Sequence, residues 1–216
     1  MATHVVPSKP SAPSSAEPLA DASPKTVDEY PDWLDGDTHA EWADGEVVMH
    51  SPASRRHNDV SRFLLVLISA YADQHQSGFV GFEPFQMKLD AVGSCRAPDI
   101  LFVANEHLDR LQPALLDGPA DLVVQVVSPD SGSRDRGEKY YEYDRAGVRE
   151  YWLVDPERRR AEFYVLGADG AYTGGSVNAD TVYRSSVLQG LWLRVGWLWQ
   201  EPLPSVVGVL REWELV

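Results

Sequence analysis

Two kinds of hydrophobic pattern run along this chain, one typical of helices and one typical of strands. Residues 54–76 place large hydrophobic side chains three and four positions apart, which predicts an amphipathic helix ending near Gly78. Residues 122–127 form an almost unbroken run of strand formers, which predicts a strand buried on both faces. Gln125 alone interrupts that run. Its amide must find partners, because an unpaired buried polar group costs free energy.

The predicted central strand is followed by a polar turn and a charged helix. Pro129 cannot donate a hydrogen bond to a sheet, so the strand ends before it. Residues 133–146 predict a helix that Gly147 closes. The remaining pattern predicts strands over 46–49, 79–82, 85–89, 97–103, 150–154, 161–166, 182–187 and 191–199, a helical turn over 106–111, a Gly-rich connection over 167–178 and a closing helix over 206–213.

These elements predict a single α/β domain with a central mixed β-sheet flanked by helices, and with extra β-strands at its N- and C-terminal sides. The Asp44-Gly45 turn signal before the first strand adds a predicted hairpin. The domain covers residues 26–216. Residues 1–25 are rich in Pro, Ser and Ala without a hydrophobic period, so we expect a flexible N-terminal tail.

Charge and cysteine content narrow the class of protein. The chain has 216 residues, with 19 Lys and Arg against 33 Asp and Glu, and therefore a net charge of −14. This sign disfavours bulk electrostatic binding of nucleic acid, although a local basic groove remains compatible with it. The one cysteine, Cys95, excludes an internal disulfide. With neither a long apolar run nor a signal-peptide pattern, we expect a cytoplasmic protein without a membrane partner.

Five short motifs carry most of the polar residues that stand out: Asp44-Gly45-Glu46, Arg96-Ala97-Pro98-Asp99, the segment 124–129, Asp135 with Lys139, and the segment 146–156. Taken together, over roughly residues 30–204, they resemble a bacterial restriction-endonuclease-like family with the PD-(D/E)XK nuclease core. The family usually has glutamate where this chain has Gln125. The one departure from the family pattern therefore affects a position that the family uses for its chemistry.

The resemblance implies phosphodiester hydrolysis with DNA as the substrate and Mg²⁺ or Mn²⁺ as the cofactor. Such a metal neutralises phosphate charge and lowers the pKa of the attacking water. By the resemblance, Asp99 is the principal metal ligand, Gln125 is the second, and Val126 contributes its backbone carbonyl. Lys139 then orients the water and offsets negative charge in the transition state. Glu46 is a further candidate ligand that would compensate for the missing carboxylate.

Each of these residues also has an explanation without catalysis. An aspartate at a strand start, such as Asp99, often forms a turn, and Lys139 has the spacing of an ordinary helical ion pair with Asp135. Gln125 equally suits a hydrogen-bonded core amide, and Glu46 suits a solvated strand edge. The sequence leaves both explanations open for all of them.

Basic residues beside the predicted site are candidates for binding the DNA backbone. Arg55 and His57 fall in the first turn of the helix over 54–76, where a helix N-terminus favours phosphate, although His57 also suits a capping or surface position. Arg134 and Arg136 border the polar turn. The six histidines show no spacing typical of a zinc site.

The resemblance therefore implies a metal-dependent DNA endonuclease, and Gln125 predicts that its activity is weakened. The alternative is a catalytically inactive protein of the same fold, which binds nucleic acid or a partner protein in the same groove. A homodimer is compatible with either hypothesis.

Overall fold

The computed structural model describes residues 23–35, 38–49, 53–128 and 132–216. The strands in chain order are β1 (Ala40–Ala43), β2 (Glu46–Met49), β3 (Gly78–Phe82), β4 (Gln86–Leu89), β5 (Ser94–Arg96), β6 (Ile100–Ala104), β7 (Leu115–Asp117), β8 (Leu122–Val126), β9 (Glu150–Asp155), β10 (Arg160–Leu166), β11 (Tyr172–Val177), β12 (Val182–Arg184) and β13 (Trp192–Arg194). The helices are α1 (Tyr30–Trp33), α2 (Arg55–His75), α3 (Gly132–Arg136), α4 (Glu138–Ala146) and α5 (Val206–Glu212), with 3₁₀ segments at Asn105–Arg110 and Val195–Trp199.

The strands form a large mixed sheet and a smaller sheet beside it. The large sheet has six strands in the order β11-β10-β9-β8-β6-β3. Of the described strand pairs within this sheet, β8–β9 is parallel and the others are antiparallel. The smaller sheet has five strands in the order β2-β1-β5-β4-β7, and β12 pairs with β13 separately. The predicted α/β domain with a central mixed sheet is confirmed, and β8 lies in the interior of that sheet.

Strand β8 separates two hydrophobic cores. Its even-numbered residues pack with α2 and the C-terminal elements, whereas Val123 packs with α4 and strand β4 on the opposite face. Because side chains alternate along a strand, Gln125 points to the same face as Val123. All five residues of β8 are buried, as the almost unbroken apolar pattern predicts.

Helix α2 covers one face of the large sheet and begins where the sequence predicts. The side chain of Ser54 accepts a hydrogen bond from the backbone N–H of His57 at 3.1 Å, which satisfies a donor of the first turn. Gln76 ends the helix in the left-handed conformation, with φ 48°. The predicted helix is therefore confirmed, and it ends two residues before Gly78.

The predicted helix over 133–146 is wrong in one respect, because it is broken into α3 and α4 at Gly137. This residue adopts φ −107° and ψ −88°, outside the helical region. A Cβ atom at this position would lie 2.9 Å from the backbone oxygen of Ser133. The break gives α4 its own direction, and α4 carries Lys139.

Three other predictions also need correction. The strand predicted over 97–103 begins only at Ile100, as β6, and the preceding strand β5 in the other sheet was not predicted. The Gly-rich connection contains β11, in which Gly174 fits because a Cβ atom there would overlap the backbone oxygen of Phe163. The strand predicted over 191–199 continues after β13 as a 3₁₀ helix.

The predicted tail lies mostly outside the described residues, which begin at position 23. Within the described part, Pro24 is buried, and the backbone N–H of Lys25 donates to Glu29 at 2.8 Å. No helix in the described part of the chain is long and apolar enough to cross a membrane.

Candidate active site

The pairing of β6 with β8 brings Asp99 to the carboxyl end of β8. Ile100 pairs with Val124 in antiparallel register, so Asp99, immediately before β6, lies beside the end of β8. The Oδ2 atom of Asp99 accepts a hydrogen bond from the backbone N–H of Val126 at 2.8 Å. Two sequence-predicted residues are thus in direct contact, through a carboxylate and a backbone amide.

Gln125 links Asp99 to Lys139. In the amide orientation that satisfies both neighbours, Nε2 of Gln125 donates to Oδ2 of Asp99 at 2.8 Å, and Oε1 accepts from Nζ of Lys139 at 3.3 Å. The opposite orientation would set oxygen against a carboxylate and nitrogen against an ammonium. Both ends of this buried amide therefore have partners, as burial demands. Asp99, Gln125 and Lys139 form one hydrogen-bonded chain.

Lys139 is buried among carboxylates, with only 5% of its side chain exposed. Its Nζ lies 2.9 Å from Oε1 of Glu41 and 3.5 Å from Oδ1 of Asp135. Burial alone would lower the pKa of this ammonium, but the neighbouring negative charges, that of Glu41 foremost, raise it above its ordinary value. Lys139 therefore stays protonated near neutral pH, so it can stabilise negative charge but cannot act as a base. Its helical ion pair with Asp135 and its contact with Gln125 exist together.

Glu41 is an acidic member of this group that its sequence context did not reveal. It lies fully buried in β1 and accepts hydrogen bonds from Lys139 at 2.9 Å and from the backbone N–H of Ala97 at 3.0 Å. Its second oxygen accepts from Arg96 at 3.3 Å. The inner strand of the hairpin thus supplies a carboxylate to this group, and its partners are Lys139, Arg96 and the backbone of Ala97.

Glu46, the predicted extra ligand, is exposed at the start of β2, opposite Ala43. None of the contacts among the described residues joins Glu46 to this group. The hairpin itself forms as predicted, because Asp44 and Gly45 both adopt positive φ. The physical reason for the difference is burial: all four residues of β1 are buried, whereas β2 is a sheet edge.

Arg96 fixes helix α4 against the smaller sheet. Its side chain is fully buried, and its guanidinium donates to both oxygens of Glu142, at 2.7 and 2.6 Å. Bidentate pairs of this kind hold geometry as well as charge. Because Glu142 and Lys139 lie on the same helix, Arg96 also sets the position of Lys139 relative to Glu41.

His57 contacts the second carboxylate oxygen of Asp99. Its Nε2 lies 3.1 Å from Oδ1 of Asp99, and its Nδ1 lies 3.5 Å from Oγ of Ser61. Burial lowers the pKa of the imidazole, but the hydrogen bond and charge of Asp99, the charge of Glu83 and a hydrogen bond with the backbone of Val126 raise it to a net value above the ordinary one. His57, Asp99 and Glu83 line a pocket.

The predicted substrate-binding arginines lie in different environments. Arg55 is 95% exposed in the first turn of α2, where it pairs loosely with Asp59 at 3.6 Å. Arg134 is half-buried in α3. Arg136 donates to Asp155 and Glu162, each at 2.9 Å, so its guanidinium holds the ends of β9 and β10 together instead of joining the group around Asp99.

A second group of acidic and imidazole side chains lies at the amino end of β8. Nδ1 of His107 is 2.9 Å from Oδ1 of Asp121, and Glu106 completes a set of three potential metal ligands. Arg149 donates to Glu106 at 3.0 Å and to Asp121 at 3.2 Å. A cationic side chain therefore already occupies the position between these carboxylates.

Comparisons with known proteins agree with this fold. The model of a family described as Uma2, Putative restriction endonuclease, matches residues 27–196. A crystal structure described as a putative nuclease belonging to DUF820 from Anabaena variabilis ATCC 29413 superposes with a TM-score of 0.70. The two sequences are 15% identical, and the match covers 82% of this chain and 98% of that one, so this likeness shows the fold. No curated protein matches the chain.

Proposed function

The chain belongs to the Uma2 family of restriction-endonuclease-like proteins, and from this premise we propose that it is a metal-dependent DNA endonuclease. The observation that carries the proposal is the hydrogen-bonded chain of Asp99, Gln125 and Lys139 at the end of β8. It joins a carboxylate at the edge of a pocket to a buried cation. Phosphodiester hydrolysis needs both kinds of group, one to hold a metal and one to offset charge on the phosphate.

The side chains around Asp99 fit a divalent cation by their chemistry. Mg²⁺ and Mn²⁺ prefer carboxylate and carbonyl oxygens, and they keep several positions for water and substrate. In the proposal Asp99 holds the metal from the edge of the pocket, together with the backbone carbonyl of Val126. A bound cation of this kind would neutralise the phosphate and lower the pKa of the attacking water.

Lys139 supplies a permanent positive charge close to the phosphate. Its ammonium is held in place by Glu41 and Asp135, and its raised pKa keeps it charged. Because the site is buried and the ammonium is already oriented, little reorganisation is needed when negative charge develops in the transition state. Lys139 acts in this proposal as an electrostatic stabiliser and not as the base.

Gln125 takes the role of an orienting amide. Its Nε2 bonds to Asp99 and its Oε1 faces Lys139, so neither end is left for a metal in this arrangement. An amide brings no negative charge, and a site with one carboxylate fewer attracts a cation less strongly. We therefore expect slow hydrolysis that depends on a high metal concentration.

DNA would approach along the first turn of α2 and helix α3. The exposed Arg55 and the half-buried Arg134 are the proposed contacts to backbone phosphates. The chain's net charge of −14 opposes DNA elsewhere on the surface. Binding should therefore be weak and should fall only modestly as the salt concentration rises, since few phosphates are neutralised.

The test is cleavage of supercoiled plasmid and of single-stranded DNA by the purified full chain. We expect nicking with Mg²⁺ or Mn²⁺ and none with a chelator. Asp99→Ala and Lys139→Met should lower the rate about 100-fold or more, the loss typical of removing one preorganised electrostatic group. The matched control is His107→Gln. His107 lies at the other end of β8, so this variant should cleave DNA like the parent.

Two results would contradict the proposal. If the parent cleaves neither substrate with either metal, the alternative of an inactive nuclease fold becomes the better account. If cleavage is equal in the parent, Asp99→Ala and Lys139→Met, the activity belongs to another site or to a contaminant.

A further inference from the structure

The His57 and Asp99 side chains meet at the edge of the pocket with the spacing of two neighbouring metal ligands. Nε2 of His57 is 3.1 Å from Oδ1 of Asp99. Two ligands at right angles around a cation, with bonds of about 2.1 Å, lie about 3.0 Å apart. The same separation also suits a simple hydrogen bond, so the distance alone does not decide between them.

The backbone of Val126 is a third group at the point where His57 and Asp99 meet. Nε2 of His57 faces both the carboxylate of Asp99 and the backbone of Val126. A ring nitrogen carries at most one proton, so it can satisfy only one acceptor well. A cation bound at the same point would be shared by all the groups that face it. Glu83 also lines the pocket and adds negative charge on the same side.

The second ring nitrogen of His57 has the neighbour that a ligating histidine needs. Metal-bound imidazoles usually donate their other N–H to an outer partner, which fixes the tautomer and the ring orientation. Oγ of Ser61 lies 3.5 Å from Nδ1 and comes from the next turn of the same helix. It can accept that N–H, and Nε2 then directs its lone pair toward Asp99.

Gln125 gives a reason why an extra ligand is needed here. Its oxygen faces Lys139, and its nitrogen faces Asp99, so the side chain of the second predicted ligand is occupied. Asp99 alone is a weak anchor, because a divalent cation bound through one carboxylate depends largely on water and substrate. A nitrogen ligand from α2 would restore part of the lost affinity.

A second histidine–aspartate pair among the described residues shows how a cationic side chain can occupy such a position. His107 contacts Asp121 at 2.9 Å, which resembles the spacing at His57. There, however, the guanidinium of Arg149 already lies 3.2 Å from Asp121. At His57 no described arginine or lysine side chain is hydrogen-bonded to Asp99. The two pairs therefore differ in whether a cation position remains open.

We infer that His57 is a metal ligand, and that its nitrogen makes the site prefer a first-row transition ion such as Mn²⁺ over Mg²⁺. Imidazole nitrogen binds transition ions well, whereas Mg²⁺ strongly prefers oxygen. The inference rests on the proposed function only for the location of the metal. It assigns His57 to the metal, in place of the DNA phosphate that its helix position predicts.

The test is pulsed electron paramagnetic resonance of Mn²⁺ added to the purified full chain without DNA. A directly bound histidine gives a nitrogen modulation, and ¹⁵N-histidine labelling of the parent should convert it to the ¹⁵N pattern. We expect this signal in the parent and in His107→Gln, and its loss in His57→Gln. In calorimetry, His57→Gln should weaken Mn²⁺ binding at least about tenfold, a loss already typical when an outer-shell partner is mutated. Mg²⁺ binding should change less.

The inference is overturned by three results: Mn²⁺ bound without nitrogen modulation, modulation that persists in a folded His57→Gln variant, or no Mn²⁺ binding by the parent. The labelled parent keeps the inference falsifiable even if His57→Gln does not fold, because a labelled parent that binds Mn²⁺ without histidine modulation overturns it and the isotope exchange needs no mutation. Histidine-bound Mn²⁺ without DNA cleavage would leave the inference standing and contradict the proposed function instead.

Discussion

The parallel strands β8 and β9 carry a buried carboxylate network at each end, and the two networks are satisfied in different ways. At the amino end, the described residues that donate hydrogen bonds to Glu150 are all neutral. These donors belong to Trp152, Tyr183, Ser185, Ser186 and Val187, at distances between 2.5 and 3.0 Å. At the carboxyl end, Glu41 pairs with the cationic side chains of Lys139 and Arg96, and Asp99 contacts the imidazole of His57.

The difference separates a structural role from a functional one. The carboxylate of Glu150 is fully enclosed by donors, so it fastens the segment after β12 to the central sheet and has no opening toward solvent. The group around Asp99 includes the cationic side chain of Lys139 and borders a pocket. Both networks supply hydrogen-bonding or charged partners to a buried carboxylate, which offsets the cost of burying its charge. Only the second can exchange one of its partners for a ligand.

The largest expected effect is at Glu150. In Glu150→Gln one acceptor oxygen becomes an NH₂ group, which would face the serine hydroxyls and backbone donors that now bind it. Each buried donor left unpaired costs about 1–3 kcal/mol, so we expect a loss of about 4 kcal/mol in the free energy of unfolding, measured by urea denaturation. Exposed Glu157→Gln is the control and should change little. A loss below about 1 kcal/mol would mean that the network is not structural.

Glu41→Gln should have the next largest effect on stability. The change removes a charge from between Lys139 and Arg96, and breaking a buried pair costs about 3–5 kcal/mol. We expect about 3 kcal/mol, the lower end, because Lys139 keeps Asp135 and Arg96 keeps Glu142. Metal-dependent cleavage should fall as well, unlike in Glu150→Gln. The matched control is Glu46→Gln on the exposed strand, and equal effects of the two variants would contradict the assignment of Glu41.

Gln125→Glu should have the smallest effect on stability, and it should raise the rate of cleavage, whereas Glu41→Gln should lower it. A second carboxylate beside Asp99 repels it, so without metal we expect a loss of about 1 kcal/mol, offset in part by Lys139. With millimolar Mg²⁺ or Mn²⁺ the variant should gain stability through ligand binding and cleave DNA faster than the parent. Identical metal affinity and cleavage in both proteins would make Gln125 a structural amide.

The parts of this arrangement that depend on local pattern could be predicted from the sequence. The apolar run of β8 and the period of α2 each specify burial without knowledge of their neighbours. Asp99, Gln125 and Lys139 were identified through their motifs, and the strand pairing brings the first two together. Of the three, only Gln125 lies in an element whose bounds the pattern predicts closely, namely β8.

The rest depends on contacts between distant parts of the chain. Glu41 joins the site only because β1 pairs with β5, where Trp42 lies opposite Cys95. Nothing in the sequence around Glu41 specifies that pairing, so the outer Glu46 was an equally good candidate. The break at Gly137 escaped prediction for another reason, since a single glycine inside a helical pattern is often tolerated.

We propose that the end of β8 at Asp99 holds a divalent cation, whereas the other buried carboxylate groups of the described residues do not. The most direct test is anomalous diffraction from crystals of the full chain soaked in Mn²⁺. We predict a peak within about 2.3 Å of Oδ1 of Asp99 and Nε2 of His57, and none at Glu106, His107 and Asp121 or at Glu150. A peak at the Glu106 group instead, or no peak in crystals of a protein that cleaves DNA with Mn²⁺, would contradict it.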